Sequence, residues 1–245
     1  MKVATYNIHF GGKKGSGNAW QGLLTAHDLD LVMAQETFHP SEYFSKTDFA
    51  KFRGCLWMHV PDGKWGSAIV SRNHEIQEVQ IPEFSGWVVA GRIPDLMIGS
   101  RSHDVLVVSV HAPSPGPYEP SVRRILDAIA AIRGTSKLLI GGDFNITTAF
   151  RHPADELPLK NTTGEIKLLE RMRREFGLVN AWQTAHPNRS LPQTLRWSKD
   201  QAVPFHCDGI FVDCSLIPDL LGADVLSGEP WHSLSDHNPI VVSMA

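Results

Sequence analysis

Short polar clusters recur along this chain, and each lies at one end of an apolar run of strand length. They read Tyr6-Asn7-Ile8-His9, Gln35-Glu36-Thr37, Ser109-Val110-His111, Gly142-Asp143-Phe144-Asn145, His206-Cys207-Asp208-Gly209 and Ser235-Asp236-His237-Asn238. Any one alone reads as a turn or helix cap, because Asp, Asn and Ser side chains bond readily to nearby backbone. Taken together they offer a different inventory. Carboxylate and carboxamide oxygens are hard ligands suited to Mg²⁺ or Mn²⁺. Imidazoles suit proton transfer and the stabilisation of developing negative charge. Chemistry at a phosphoryl group needs this set: a cation against phosphate charge, a base that orients water, and a donor for the transition state. The clusters therefore predict metal-assisted hydrolysis of phosphate esters.

The elements that must hold these residues are legible as patterns. Apolar runs at Val3–Tyr6, Asp30–Ala34, Ser67–Ser71, Trp87–Arg92, Val105–Val110, Lys137–Ile140, Asp208–Val212 and Pro239–Ser243 have strand length. Several are rich in Val and Ile and bounded by Gly, Pro or Asp, as buried strands are. Three helical stripes lie between them. Trp20, Leu23, Leu24 and His27 share one face, with Asn18 as N-cap. Val122, Ile125, Leu126, Ile129 and Ile132 form the second, preceded by Pro120 and Ser121 and stopped at Gly134. Thr162 and Glu165 have capping-box spacing before Leu168, Leu169, Met172 and Phe176, and Gly177 ends that helix. No helix separates the strands from Ser67 to Val110, which predicts an antiparallel meander there. The pattern as a whole predicts a mixed-sheet α/β protein.

Composition sets outer limits. Apolar residues make up 42% and charged residues 20% of 245, an ordinary globular balance that suits one domain spanning 1–245. The formal net charge of -3 argues against a surface that grips long nucleic acid everywhere, since such binding rests on phosphate neutralisation. It leaves room for a local cleft in which a metal ion supplies positive charge. Cys55, Cys207 and Cys214 form neither a disulfide framework nor a zinc spacing. The opening MKVATYNIHF carries no signal-like apolar region, and no apolar run nears the roughly 20 residues that cross a bilayer. The expectation is a cytoplasmic protein without a membrane span, monomeric by default.

The motifs resemble those of the endonuclease/exonuclease/phosphatase superfamily, in order and over nearly the whole chain. Thr5-Tyr6-Asn7-Ile8 resembles its first motif, Gln35-Glu36 its metal-binding Glu motif, and Gly66–Ser71 the strand that follows. Gly142-Asp143-Phe144-Asn145 and Ser235-Asp236-His237 resemble its two most specific signatures. Gly177–Trp182 followed by His186-Pro187 resembles a segment of its bacterial nucleases. The resemblance implies a four-layer α/β/β/α sandwich of two mixed β-sheets with outer helices.

It also implies roles. Glu36 is the principal ligand of Mg²⁺ or Mn²⁺, with Asn7 and Asp236 completing the shell directly or through water. Asp143 aligns or deprotonates the attacking water, and Asn145 holds a phosphate oxygen or steers Asp143. His237 faces the scissile phosphate, oriented from behind by Asp208. His111 donates to a phosphate oxygen or protonates the leaving oxygen. In deoxyribonucleases of the pancreatic type a Glu orients that His. Here the matching stretch, Ser85-Gly86-Trp87-Val88, has no carboxylate, and Glu83 is off register. Trp197 and Arg196 shape the cleft wall and contact substrate. His9 reads as a loop histidine, and the interleaved charges of Lys167–Arg174 as a solvated helix face.

The implied activity is a nuclease that hydrolyses DNA phosphodiesters by direct attack of water. A phosphatase or phospholipid phosphodiesterase of the same superfamily is the alternative. A catalytically inactive binding module is the rival from another class, and the intact acidic and His set argues against it.

Overall fold

The computed structural model describes residues 1–10, 19–113, 116–151 and 159–245. The first part of the chain contains β1 (Lys2–Asn7), α1 (Ala19–His27), β2 (Leu31–Thr37), α2 (Lys46–Phe49), β3 (Gly54–His59) and β4 (Gly66–Ser71). The middle contains β5 (Gln77–Val79), β6 (Val88–Ile98), β7 (Arg101–His111), α3 (Tyr118–Arg133) and β8 (Lys137–Asp143). Then follow α4 (Thr163–Phe176), β9 (Leu178–Asn180), α5 (Ala181–Ala185), β10 (Asp208–Asp213), β11 (Leu220–Val225), α6 (Trp231–Leu234) and β12 (Ile240–Met244).

The strands form two six-stranded sheets, ordered β11-β12-β1-β2-β4-β3 and β5-β6-β7-β8-β10-β9. Both are mixed, with β1 parallel to β2 and β7 parallel to β8. Successive side chains on a strand point to opposite faces. Val3, Met33 and Ile69 of the first sheet therefore meet Val107, Leu139 and Ile210 of the second in a core between the sheets. Their neighbours face outward. Leu106, Val108 and Ile140 pack under Val122, Ile125, Leu168 and Met172 of α3 and α4. Ala4, Val32 and Val70 pack under Trp20, Leu23, Trp231 and Leu234 of α1 and α6. The result is the four-layer α/β/β/α sandwich, and it explains why the central strands read as continuous apolar runs.

Local signals hold to different degrees. The Thr162–Glu165 capping box forms in both directions, and Gly177 closes α4. The second stripe is buried as expected, but α3 starts at Tyr118, ahead of Pro120, and Ser121 lies on the buried face. Asn18 and residues 152–158 of the segment Thr147–Thr163 lie outside the described residues. The meander expectation needs a correction. β5, β6 and β7 are consecutive antiparallel neighbours, but β4 pairs with β2 and β3 in the other sheet. The chain thus changes sheets between Ser71 and Gln77. Among the described residues no helix is long and apolar enough to cross a membrane.

Candidate active site

Strand register brings the polar clusters together. In the second sheet His111 pairs with Asp143 across β7 and β8, and Asp143 pairs with Asp208 across β8 and β10. Three chemistry-bearing residues thus stand in a row on adjacent strands. In the first sheet Asn7 pairs with Gln35 across the parallel strands β1 and β2. The sheets are stitched beneath the site by Gln35, whose Nε2 donates to Ser109 Oγ at 2.9 Å and to Thr5 Oγ1 at 3.2 Å.

Two backbone irregularities aim the site. Between the pairs Ala34–Ala68 and Thr37–Gly66, β2 carries one residue more than β4, and Glu36 takes φ 51° in that bulge. A bulge re-aims the side chain it carries, and here it delivers Glu36 to the sheet edge. At Gly142 any Cβ would stand 1.8 Å from the carbonyl oxygen of Val110. Glycine there lets β7 and β8 approach and sets the position of Asp143.

The side chains form one buried network. Asn7 Nδ2 donates to Glu36 Oε1 and to Asp143 Oδ2, both at 3.1 Å. The Asn145 backbone N–H donates to Asp143 Oδ1 at 2.9 Å, and Asn145 itself adopts φ 53°. His237 Nδ1 donates to Asp208 Oδ2 at 2.9 Å, while its Nε2 lies 3.7 Å from Asp143 Oδ2. Ser235 Oγ donates to the Asn7 carbonyl at 2.8 Å and accepts from the His237 N–H at 3.1 Å. This ties the His237 loop to β1. Thr194 Oγ1 accepts from the Asp208 N–H at 3.1 Å.

Burial and charge then shape the chemistry. Burial raises the pKa of Glu36 and of Asp143, and Asp208 beside it pushes Asp143 further. Burial opposes charge on His237, but Asp208 and Asp143 outweigh it and hold the imidazole up to about 10. His237 is therefore a cation at neutral pH. Burial raises the Asp236 carboxyl, but the His9 hydrogen bond and the charge of His237 outweigh it and bring it down to about 2. Glu36 Oε2 is buried without a hydrogen-bond partner among the described residues. A buried carboxylate oxygen left over in this way is one that a cation would satisfy. The residues present therefore fit a hard divalent ion.

The remaining predicted residues fall in different places. His111 lies at the network's edge, its Nε2 3.5 Å from Glu36 Oε1. The rings of Trp65 and Trp87 flank it, and among the described residues its Nδ1 has no hydrogen-bond partner, carboxylate or other. Burial lowers its pKa to about 4, so it is neutral. Glu83 pairs with Arg124 at the surface. Trp197 is 42% exposed. With Tyr118, Asn145, Leu195, Phe205 and Cys207 it lines a hollow of about 320 Å³. Arg196, expected to contact substrate, is bonded to the loop that carries His237. Its guanidinium donates to the carbonyls of Ser235 and His237 and to Asn238 Oδ1, and so holds the His237 loop.

Sequence reasoning undervalued His9. Its Nδ1 lies 3.0 Å from Asp236 Oδ1, and its N–H donates to Asn7 Oδ1 at 3.0 Å. The φ of 55° at His9 brings its ring to Asp236. The signal available in the sequence was its place two residues after Asn7. His206, from the fifth cluster, is a buried structural residue whose Nδ1 donates to the Pro192 carbonyl at 2.8 Å.

Comparison with known proteins bears on family and fold. A model of the Endonuclease/Exonuclease/phosphatase family matches residues 4–237. Among solved structures, an AP endonuclease from Archaeoglobus fulgidus is 18% identical with a TM-score of 0.72, covering 100% of this chain and 99% of that one. The Xenopus laevis APE2 catalytic domain is 17% identical with a TM-score of 0.74, covering 100% and 91%. The 3' phosphatase NExo from Neisseria, bound to product DNA hairpin, is 18% identical with a TM-score of 0.71, covering 100% and 99%. These likenesses show a shared fold. No curated protein sequence matches significantly.

Proposed function

The chain belongs to the endonuclease/exonuclease/phosphatase family, and from that premise and its site we propose a divalent-metal-dependent phosphoesterase that hydrolyses DNA phosphodiesters by direct attack of water. One observation carries this reading. The orphaned Glu36 Oε2 stands in the same buried network as Asp143 and the charged Asp208–His237 pair.

Glu36, Asn7 and Asp236 are the residues that would hold Mg²⁺ or Mn²⁺, directly or through water. When bound, such an ion neutralises phosphate charge and polarises a phosphoryl oxygen. Asp143, Cys207, Asp208 and His237 also offer ligand atoms within 4.8 Å of one another. That group suits a hard ion less well, because Asp208 is engaged by His237 and Cys207 adds a soft thiol.

The protein's own groups supply the rest. Asp143 is held at both oxygens by Asn7 and the Asn145 N–H, so its orientation is fixed before substrate arrives. It orients the attacking water and takes its proton. His237 carries a proton on Nε2, the nitrogen turned from Asp208, and donates to the phosphate oxygen that gains charge. Asp208 fixes the ring angle and keeps the cation. Neutral His111 contributes a positioned donor rather than a charge. Asn145 holds a phosphate oxygen, and Trp197 forms the exposed rim of the neighbouring hollow. Arg196 positions His237 through the loop. The three cysteines are free, which fits a reducing cytoplasm.

A substrate panel tests the proposal: single-stranded and duplex DNA, RNA, an abasic duplex, a phosphomonoester and a phospholipid, each with Mg²⁺ and with EDTA. The expected result is Mg²⁺-dependent cleavage of a DNA strand. Turnover confined to the monoester or the lipid would replace the nuclease reading with the corresponding phosphatase or phospholipid phosphodiesterase one.

A further inference from the structure

Aromatic rings bound one flank of the site. His111 packs against Trp87 with ring centres 5.1 Å apart and against Trp65 at 5.5 Å. Trp65 meets Trp87 edge-on at 5.2 Å and Phe10 edge-on at 5.3 Å. Phe10 in turn meets His9 at 5.1 Å. The run starts at His111 beside Glu36 and ends at His9 on Asp236. It is thus an arc of rings around the carboxylates that would hold the metal. Exposure rises along it, from buried His111 through half-buried Trp87 and Trp65 to Phe10, which is 49% exposed.

The backbone builds this arc firmly. Trp65 closes the turn between β3 and β4, its carbonyl accepting from the Val60 N–H at 2.9 Å. The Trp87 carbonyl accepts from the His111 N–H at 2.8 Å and from Ser67 Oγ at 3.0 Å. At Gly86 a Cβ would stand 2.1 Å from the His59 carbonyl oxygen, so glycine there lets the turn bearing Trp87, just ahead of β6, reach the β3 end. Edge-to-face packing fixes ring planes relative to one another. The rings are set before any ligand arrives.

We propose that this arc is a stacking platform for an unpaired nucleobase next to the phosphodiester that is cut. The preferred substrate is then single-stranded or frayed DNA rather than closed duplex. This rests on the phosphoesterase reading above and extends it to substrate class. Charge points the same way. At a net charge of -3 the protein is poorly suited to hold a strand by phosphate neutralisation alone. Stacking on aromatic side chains supplies affinity without charge and accepts every base. A paired base must leave its stack to reach such a platform, whereas an unpaired one is already free.

Binding of end-labelled strands, read by fluorescence anisotropy in EDTA so that nothing is cut, tests this directly. The probes are oligothymidylate, a strand of equal length built from abasic units, and a blunt duplex. The intact protein should bind oligothymidylate roughly 5- to 140-fold tighter than the abasic strand, the worth of one stacked base. It should also prefer oligothymidylate to the duplex. Phe10→Ala and Trp65→Ala should each shrink the ratio towards one, and Trp65→Phe should restore most of it. Equal binding of the base-bearing and abasic strands by the intact protein overturns the platform. So does an undiminished ratio in both alanine variants. Cleavage assays with Mg²⁺ separate the two levels of reading. Cutting of both strands without base preference leaves hydrolysis standing and removes the platform, whereas no cutting of any strand removes both.

Discussion

Asp208 holds His237 from behind, Oδ2 to Nδ1 at 2.9 Å, while Asp143 waits 3.7 Å from the opposite ring nitrogen. The imidazole is thus charged between two carboxylates that sit on adjacent strands in direct register. One of them is bonded to Nδ1, and the other faces the free Nε2. This division follows from geometry, since one ring nitrogen is already taken by a strong hydrogen bond.

Replacing Asp208 by Asn removes the charge that sustains the imidazolium. The His237 pKa should fall from about 10 towards its ordinary value, which nuclear magnetic resonance titration of the ring protons measures. Turnover should drop about 10²- to 10⁴-fold, as loss of a positioned acid–base group commonly does. The fold should persist, because Asn keeps the volume and can still accept from Nδ1, and its backbone N–H still donates to Thr194 Oγ1.

Gly142→Ala should be severely destabilising. The added methyl meets the Val110 carbonyl oxygen at 1.8 Å, so β7 and β8 must part. Overpacking of this kind costs on the order of 1–3 kcal/mol or more. Denaturant melts should show the loss. Activity of the folded fraction should fall as well, since Asp143 is the next residue.

How far these relationships were legible in the sequence depended on their range. The Thr162–Glu165 cap is local, and spacing alone revealed it. Strands buried on both faces were visible as Val- and Ile-rich runs. The strands that escaped notice are β3, β5, β9 and β11, the edge strands of the two sheets. Edges are covered on one side only, and β11 reads Leu-Leu-Gly-Ala-Asp-Val with a single buried residue. The polar clusters pointed to Asn7, Glu36, Asp143, Asp208, Asp236 and His237 as one set because each lies at or beside one end of an apolar run. His9 escaped, since its contact with Asp236 crosses almost the whole chain and depends on a left-handed turn. Arg196 looked like a substrate contact because a guanidinium suits phosphate. Only tertiary structure shows its two terminal nitrogens bonded to the His237 loop.

His206 predicts a pH dependence of stability. Burial lowers its folded pKa to about 4 from an ordinary value near 6.5, so it is neutral in the native state. The unfolded chain takes up this proton first as pH falls. Stability from this residue is therefore complete above about pH 6.5 and lost progressively as pH falls towards 4. The loss is on the order of 3 kcal/mol at its fullest. Melting temperatures across this range should fall more steeply for the intact protein than for His206→Gln.

The central claim is that Glu36 anchors a divalent cation on which hydrolysis depends. Its most direct test is the Mg²⁺ dependence of DNA strand cleavage by the intact protein and by Glu36→Ala, with folding of both checked by thermal melting. The intact protein should cut with Mg²⁺ and stop in EDTA, and Glu36→Ala should lose several orders of magnitude in turnover at any Mg²⁺ concentration. Cleavage that persists in EDTA, or a Glu36→Ala protein with the same Mg²⁺ response and turnover as the intact one, would contradict the account.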